Sequence, residues 1–256
     1  MSRLTVTYHS KALSRPTTFE MLIPNDSDSS QTEQCHIKAL FLLHGYNCGA
    51  FNWVPEYLCE KYSFAVICPN GENSFWLDGI STGHRFATLL GEELPDYIRK
   101  TFGLALKRED THIMGFSMGG FGALHTALAY PDVYSKCAAL SSALIVHEVA
   151  GILPGSHNGV ANYEYYRECF GEPSQVLSSR ANPETLVDEI LAKGGNMPEI
   201  FMACGTEDFL IENNREFHAF LESRSVKHLY FESPGIHDMP FWQEYAVKAA
   251  DWMFCK

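Results

Sequence analysis

From residue 39 onward the chain repeats one pattern: a short, mostly apolar run of five or six residues, then a longer amphipathic stretch, then another apolar run. A strand buried on both faces reads as a near-continuous apolar run, whereas a helix crossing back over a sheet carries an apolar stripe of period 3.6. Their alternation is the signature of strand and crossover-helix units stacked into a parallel sheet. The apolar runs fall at 39–43, 64–69, 111–116, 137–141, 199–204 and 228–233, and helices are expected at 54–61, 84–102, 118–130, 210–224 and 241–254. The fold class is therefore α/β, a mostly parallel central sheet flanked by helices. Two earlier strand-like segments, 4–10 and 17–24, read as an N-terminal hairpin, and the polar run 25–34 reads as a mobile loop after it.

One interval breaks the rhythm. Between the runs ending at Ser141 and starting at Glu199 lie nearly sixty residues carrying Pro154, Gly155, Gly159, Pro173, Pro183, Gly194 and Gly195. This stretch, 142–198, reads as an insertion of short helices, a candidate lid or pocket wall over the functional edge of the sheet. With 256 residues, 46% of them hydrophobic and 20% charged, the chain can bury one large core, which excludes disorder and favours a single domain over 1–256.

Nineteen Lys plus Arg against 31 Asp plus Glu give a formal charge of −12, so nucleic acid and anionic membrane are excluded as expected partners. No apolar stretch approaches the roughly 20 residues that span a bilayer. The opening Met1-Ser2-Arg3-Leu4-Thr5-Val6-Thr7-Tyr8 lacks the apolar core of a secretory signal, so a cytoplasmic location is the default expectation. The eight cysteines are scattered without a CxxC pair and read as reduced, mostly core residues. Homo-oligomer formation stays open at this level.

Gly115-Phe116-Ser117-Met118-Gly119 is a GxSxG pentapeptide placed where the run 111–116 ends and the expected helix 118–130 begins. Strand, sharp turn and helix form a nucleophile elbow, in which the flanking glycines relieve crowding at a strained serine. A serine hydroxyl attacks only when a base takes its proton, and the base needs an orienting acid. His237 follows the last strand on a loop at the same sheet edge, whereas His112 lies in a strand and His125 and His218 lie in helices. The acid belongs after the strand 199–204, where Glu207 and Asp208 are adjacent and chemistry alone does not separate them. Asp238 is too close in sequence to His237 to reach its ring nitrogen. A tetrahedral oxyanion also needs N–H donors, and these are assigned to Tyr46, in the turn His44-Gly45-Tyr46-Asn47, and to Met118. His44 is expected to brace that turn. Candidate lining residues of a small-molecule substrate pocket are His44, Gly45, Trp76 and Trp242, with Phe75, Tyr163, Tyr165 and Tyr166 as further aromatics that either line it or pack beneath it. No HExxH, CxxC or GxGxxG pattern calls for a metal or a nucleotide, so no cofactor is expected.

Four motifs together carry a resemblance: Leu42-Leu43-His44-Gly45-Tyr46-Asn47, Gly115-Phe116-Ser117-Met118-Gly119-Gly120-Phe121-Gly122-Ala123-Leu124, Cys204-Gly205-Thr206-Glu207-Asp208-Phe209-Leu210 and Gly235-Ile236-His237-Asp238-Met239-Pro240-Phe241-Trp242. In this order they resemble the tributyrin esterase branch of the esterase D-like α/β-hydrolases, from about residue 39 to the C-terminus. The resemblance implies a triad of Ser117, Asp208 and His237, which favours Asp208 over Glu207, and an intracellular serine carboxylesterase that hydrolyses short-chain acyl esters through an acyl-serine intermediate. The chain departs from the branch after His237, where Met239-Pro240 stands in place of an aromatic. Cys48 and the Ser-Met-Gly-Gly run also resemble the S-formylglutathione hydrolases, which keeps a thioesterase, and with it an acetyl or feruloyl sugar esterase, as alternatives.

Overall fold

The computed structural model describes residues 1–25 and 37–255, so most of the polar run 25–34 lies outside the described residues. Strands β1 (Ser2–Ser10), β2 (Arg15–Ile23), β3 (Lys38–Leu43), β4 (Phe64–Pro69), β5 (Thr111–Phe116), β6 (Lys136–Leu140), β7 (Glu199–Gly205) and β8 (His228–Ser233) form one sheet in the order β1-β2-β4-β3-β5-β6-β7-β8. The N-terminal hairpin is antiparallel, with Ser2 opposite Ile23 and Ser10 opposite Arg15, and β2 joins β4 antiparallel. The six strands from β3 to β8 run parallel.

The alternation of side chains explains why those strands read as unbroken apolar runs. Ala39, Phe41 and Leu43 of β3 face one core, and Leu40 and Leu42 face the other; Ala65 and Ile67 of β4 oppose Phe64, Val66 and Cys68 in the same way. Both faces are covered, so both sets are apolar. Helices α1 (Tyr57–Tyr62) and α9 (Met239–Phe254) cover one face. The other face carries α2 (Phe86–Thr88), α3 (Leu94–Phe102), α4 (Met118–Ala129) and α8 (Ile211–Ser223), together with the segment 142–198. That segment holds α5 (Val146–Ala150), α6 (Tyr163–Phe170), a 3-10 turn at Pro173–Ser178 and α7 (Pro183–Lys193). No described helix is long and apolar enough to cross a membrane.

Three helix expectations need correction, the first being 54–61, whose helix starts only at Tyr57. The stretch 84–102 is not one helix: α2 gives way to a π-helical turn at Leu89–Glu93 before α3 begins. Pro95 has no N–H to return to Gly91, so the i to i−4 ladder is interrupted there. The last helix starts at Met239 rather than 241, because the Asp238 side chain accepts from Phe241 N–H (3.1 Å) and Pro240 fits the first turn.

Sheet order places the site. From β3 the chain moves to β4 on one side and then to β5 on the other, so the loops after β3 and β5 leave a crevice between them at the carboxyl ends of the strands. Helix α4 lies tight against that crevice. A Cβ on Gly115 would sit 2.1 Å from the carbonyl oxygen of Gly119, and one on Gly119 would sit 2.6 Å from the carbonyl oxygens of Leu43 and His44. Both obstacles are backbone, so nothing flexible can yield. Gly115→Ala should therefore cost about 2–3 kcal/mol, a fall in Tm of roughly 4–12 °C for a chain of this size. Gly49→Ala, which meets nothing within 4 Å, should stay within about 0.5 kcal/mol of the parent; thermal unfolding of the two variants checks the contrast.

Candidate active site

Ser117 stands between β5 and α4 at φ 55° and ψ −121°. A non-glycine residue in the left-handed half of φ space costs about 1–3 kcal/mol and persists only where its neighbours over-determine it. Here Ser117 N–H donates to Leu140 O (2.9 Å), while Ser117 O accepts from Ala143 N–H (3.0 Å) and Phe121 N–H (3.1 Å). The turn is thus pinned to the end of β6 as well as to its own helix.

His237, in the loop after β8, reaches this serine with Nε2 at 3.0 Å from Ser117 Oγ. Its Nδ1 lies 2.8 and 3.0 Å from the two carboxylate oxygens of Asp208. Donation from Nδ1–H to the carboxylate leaves the Nε2 lone pair facing the serine hydroxyl. Asp208 is closed off from solvent at its side chain. Burial alone would raise its pKa, but hydrogen bonds from His237 and from Leu210 N–H (2.9 Å) overcome it and hold the carboxyl below the usual aspartate value. Its neighbour Glu207 turns outward, where its carboxylate accepts from Gly235 N–H (2.6 Å). The two loops are also cross-linked by backbone, Thr206 N–H to Ser233 O (2.9 Å) and Glu207 N–H to Gly235 O (3.0 Å). Asp238 is occupied as the cap of α9.

On the other side of Ser117 lies the turn after β3. Among the described residues, no acceptor takes the N–H of Tyr46 or of Met118. Gly45 lets the turn approach the elbow, since a Cβ there would be 2.5 Å from the Phe116 ring. The His44 ring is buried and engaged at both nitrogens: Nδ1 donates to Gly45 O (2.8 Å) and Nε2 accepts from Gly71 N–H (2.9 Å). Burial lowers its pKa, which suits this neutral tautomer.

The expected pocket residues divide. Trp76 does not line a pocket: it is fully buried, its ring wedged against Gly71 and Gly122, with Nε1 donating to His44 O (3.3 Å). His44 and Gly45 are likewise buried, at the base of the turn. Phe75 and Tyr166 are buried among Phe121 and Phe170. Trp242 stacks on Phe116 (4.2 Å between centroids) and meets the His237 ring edge-on at 4.9 Å, so it backs the imidazole. Tyr163 gives its hydroxyl to Glu172. Tyr165 comes near the outer side of the turn, 5.9 Å from the Tyr46 ring. Sequence reading missed Phe209, whose ring lies 4.6 Å from His237 and is 75% exposed; its place directly after Asp208 was the available signal.

The Esterase family model matches residues 10–252. An acetyl esterase of Caldicellulosiruptor saccharolyticus is 37% identical over 99% of this chain and 98% of its own. Two solved structures from Staphylococcus aureus superpose over nearly the whole molecule. One is the fluorophosphonate-binding serine hydrolase F (TM-score 0.87, 26% identity, 100% of this chain and 99% of that one). The other is an S-formylglutathione hydrolase (TM-score 0.84, 25% identity, 99% and 98%). The α/β expectation thus resolves to the α/β-hydrolase fold.

Because the folded-state pKa of Asp208 is depressed, its contribution to stability is fully present above the unfolded value of about 3.9 and is lost as pH falls through the lower folded value. Asp208→Asn should accordingly be less stable than the parent at pH 7, with the gap closing as pH drops below about 4. Urea unfolding at a series of pH values measures that gap, and a gap that widened towards acid would contradict the assignment.

Proposed function

From the premise that the chain belongs to the Esterase family and is a carboxylic ester hydrolase, we propose that Ser117 is its nucleophile, His237 its general base and acid, and Asp208 the residue that orients the imidazole. The observation that carries this reading is the unbroken hydrogen-bonded chain from the Asp208 carboxylate through both ring nitrogens of His237 to Ser117 Oγ. In the first half-reaction Ser117 Oγ bonds to the ester carbonyl carbon as its proton passes to His237 Nε2. The N–H groups of Tyr46 and Met118 receive the charge on the carbonyl oxygen. Collapse of the adduct breaks the bond to the leaving oxygen, which takes the proton from Nε2. Water, deprotonated by the same nitrogen, then releases the acid and restores Ser117.

For the acyl group we propose a short chain, acetyl first, and a place in the tributyrin esterase branch. The four motifs and the 37% likeness to an acetyl esterase across both chains support it. A second reading, a thioesterase of the S-formylglutathione type, draws on the likeness to the staphylococcal hydrolase and on Cys48 in the turn after β3. We read 1–256 as a single domain acting in the cytoplasm and the segment 142–198 as a wall of the substrate pocket, a reading supported by Tyr165 standing beside Tyr46.

Ser117→Ala should lower hydrolysis of p-nitrophenyl acetate by about 10⁴-fold or more with the fold retained. A fluorophosphonate probe should label the parent and not the variant. Near-normal turnover in the variant would remove the assignment. On a panel of acyl lengths, acetate and butyrate esters should exceed the octanoate ester in kcat/KM by at least about tenfold. S-formylglutathione turned over faster than every oxygen ester would select the thioesterase reading.

A further inference from the structure

We propose that Asn73 is a positioning residue for this hydrolysis: it fixes the aim of Tyr46 N–H and ties the turn that carries it to helix α6 of the segment 142–198. The inference rests on the reading of Tyr46 N–H as an oxyanion donor.

Tyr46 is followed by exposed Asn47, Cys48 and Gly49, and one backbone bond of its own, Cys48 N–H to Gly45 O (3.2 Å), spans the turn. Asn47 is at φ 59°, a left-handed conformation that Asn tolerates at the third position of a turn and that contacts from outside fix further. Asn73 does so at two points. Asn47 N–H donates to Asn73 Oδ1 (2.7 Å), and Asn73 Nδ2 donates to Asn47 Oδ1 (2.8 Å). The first bond fixes the orientation of the Asn73 amide, because a backbone N–H can only donate, and the second follows from it. Together they set the peptide plane immediately after Tyr46.

Asn73 can act as a clasp because its own loop is rigid. Gly71 N–H and Trp76 Nε1 both donate to His44, at 2.9 and 3.3 Å, so the loop is fastened to the base of the same turn. Ser74 Oγ donates to Gly71 O (2.6 Å) and accepts from Trp76 N–H (3.0 Å). Phe75 and Trp76 take positive φ (52° and 58°), held by the burial of their rings, and Glu72 does so as well (50°). The carbonyl oxygen of Asn73 accepts the Tyr165 hydroxyl of α6 (2.7 Å), with Cys169 Sγ at 3.6 Å. One residue therefore holds the turn with its side chain and the neighbouring helix with its backbone. An oxyanion donor works only when it ends about 2.7–3.1 Å from the charged oxygen, so freedom at Asn47 becomes loss in the transition state more than in substrate binding.

The test uses the full chain, p-nitrophenyl acetate as substrate and a short alkyl trifluoromethyl ketone as inhibitor. The ketone takes Ser117 Oγ at its carbonyl carbon, leaves the charge on oxygen and the proton on His237, and so reads the donors directly. Asn73→Ala should lower kcat by about 10- to 100-fold with KM within about threefold, and raise the ketone Ki in the same proportion. Asn73→Asp should stay within about threefold of the parent, since a carboxylate accepts both Asn47 N–H and, after an amide flip, Asn47 Nδ2. Tyr165→Phe should lower kcat by about two- to fivefold. A folded Asn73→Ala with kcat and Ki within about twofold of the parent, or one whose loss lies wholly in KM, overturns the proposal. If Asn73→Ala does not fold, Asn73→Asp decides: a loss as large as about tenfold in that folded variant would overturn it. Failure of the ketone to inhibit the parent enzyme would instead sink the oxyanion reading beneath it.

Discussion

Helix α4 touches the backbone of the strands beneath it, and the geometry of the site is referenced to that contact. Gly115 and Gly119 remove the two side chains that would hold helix and sheet apart. The consequence reaches past packing. With Gly119 against the carbonyls of Leu43 and His44, the first turn of α4 abuts the turn after β3, which brings together the two segments that carry the proposed donors Met118 and Tyr46. One residue, the strained Ser117, joins the end of β5 to the start of α4 at that close approach.

The second half of the site solves a different problem, a carboxylate closed off from water in a chain that already carries a charge of −12. An isolated buried carboxylate would take up a proton. Asp208 keeps its charge because Leu210 N–H and the His237 ring donate to it. The Glu207 carboxylate meanwhile clamps the far loop through Gly235 N–H. Adjacent acidic residues thus do separate work: one faces the imidazole, and the other fixes the loop that delivers the imidazole.

How much of this was legible in the sequence follows from the range of each interaction. The six parallel strands show in a local period, because burial on both faces leaves its mark on every residue of a strand. The elbow shows because its glycines are local as well. The interruption at Leu89–Glu93 was hidden because a single proline perturbs bonding without disturbing the apolar stripe. Choosing between Glu207 and Asp208 needed the direction of a turn, which adjacent residues of equal chemistry do not encode. Trp76 misled for the same reason: an aromatic in a rim loop reads alike whether it faces the crevice or, as here, fills the space left by Gly71 and Gly122. Asn47 and Asn73 stand 26 positions apart with no periodicity linking them, so only coordinates bring them together.

Those misplaced aromatics redraw the division of labour around the crevice. The loop after β4 holds its rings inward and spends its polar groups on the turn after β3, so it is scaffold. The aromatic that faces outward on the His237 side is Phe209, in the loop after β7, three-quarters exposed and in contact with the imidazole. Under the proposed mechanism the leaving oxygen must approach His237 Nε2 to recover its proton, whereas the acyl carbonyl must face Tyr46 and Met118. The two halves of an ester therefore meet unlike surfaces. The acyl half meets backbone donors whose positions are fixed by buried contacts. The alcohol half, on that mechanism, meets the exposed rim that carries Phe209 and, one residue before the imidazole, Ile236, itself 55% exposed. That asymmetry follows from where the fixed contacts lie: glycines and hydrogen bonds hold the groups proposed for the chemistry, and the exposed rim beside His237 carries fewer of them.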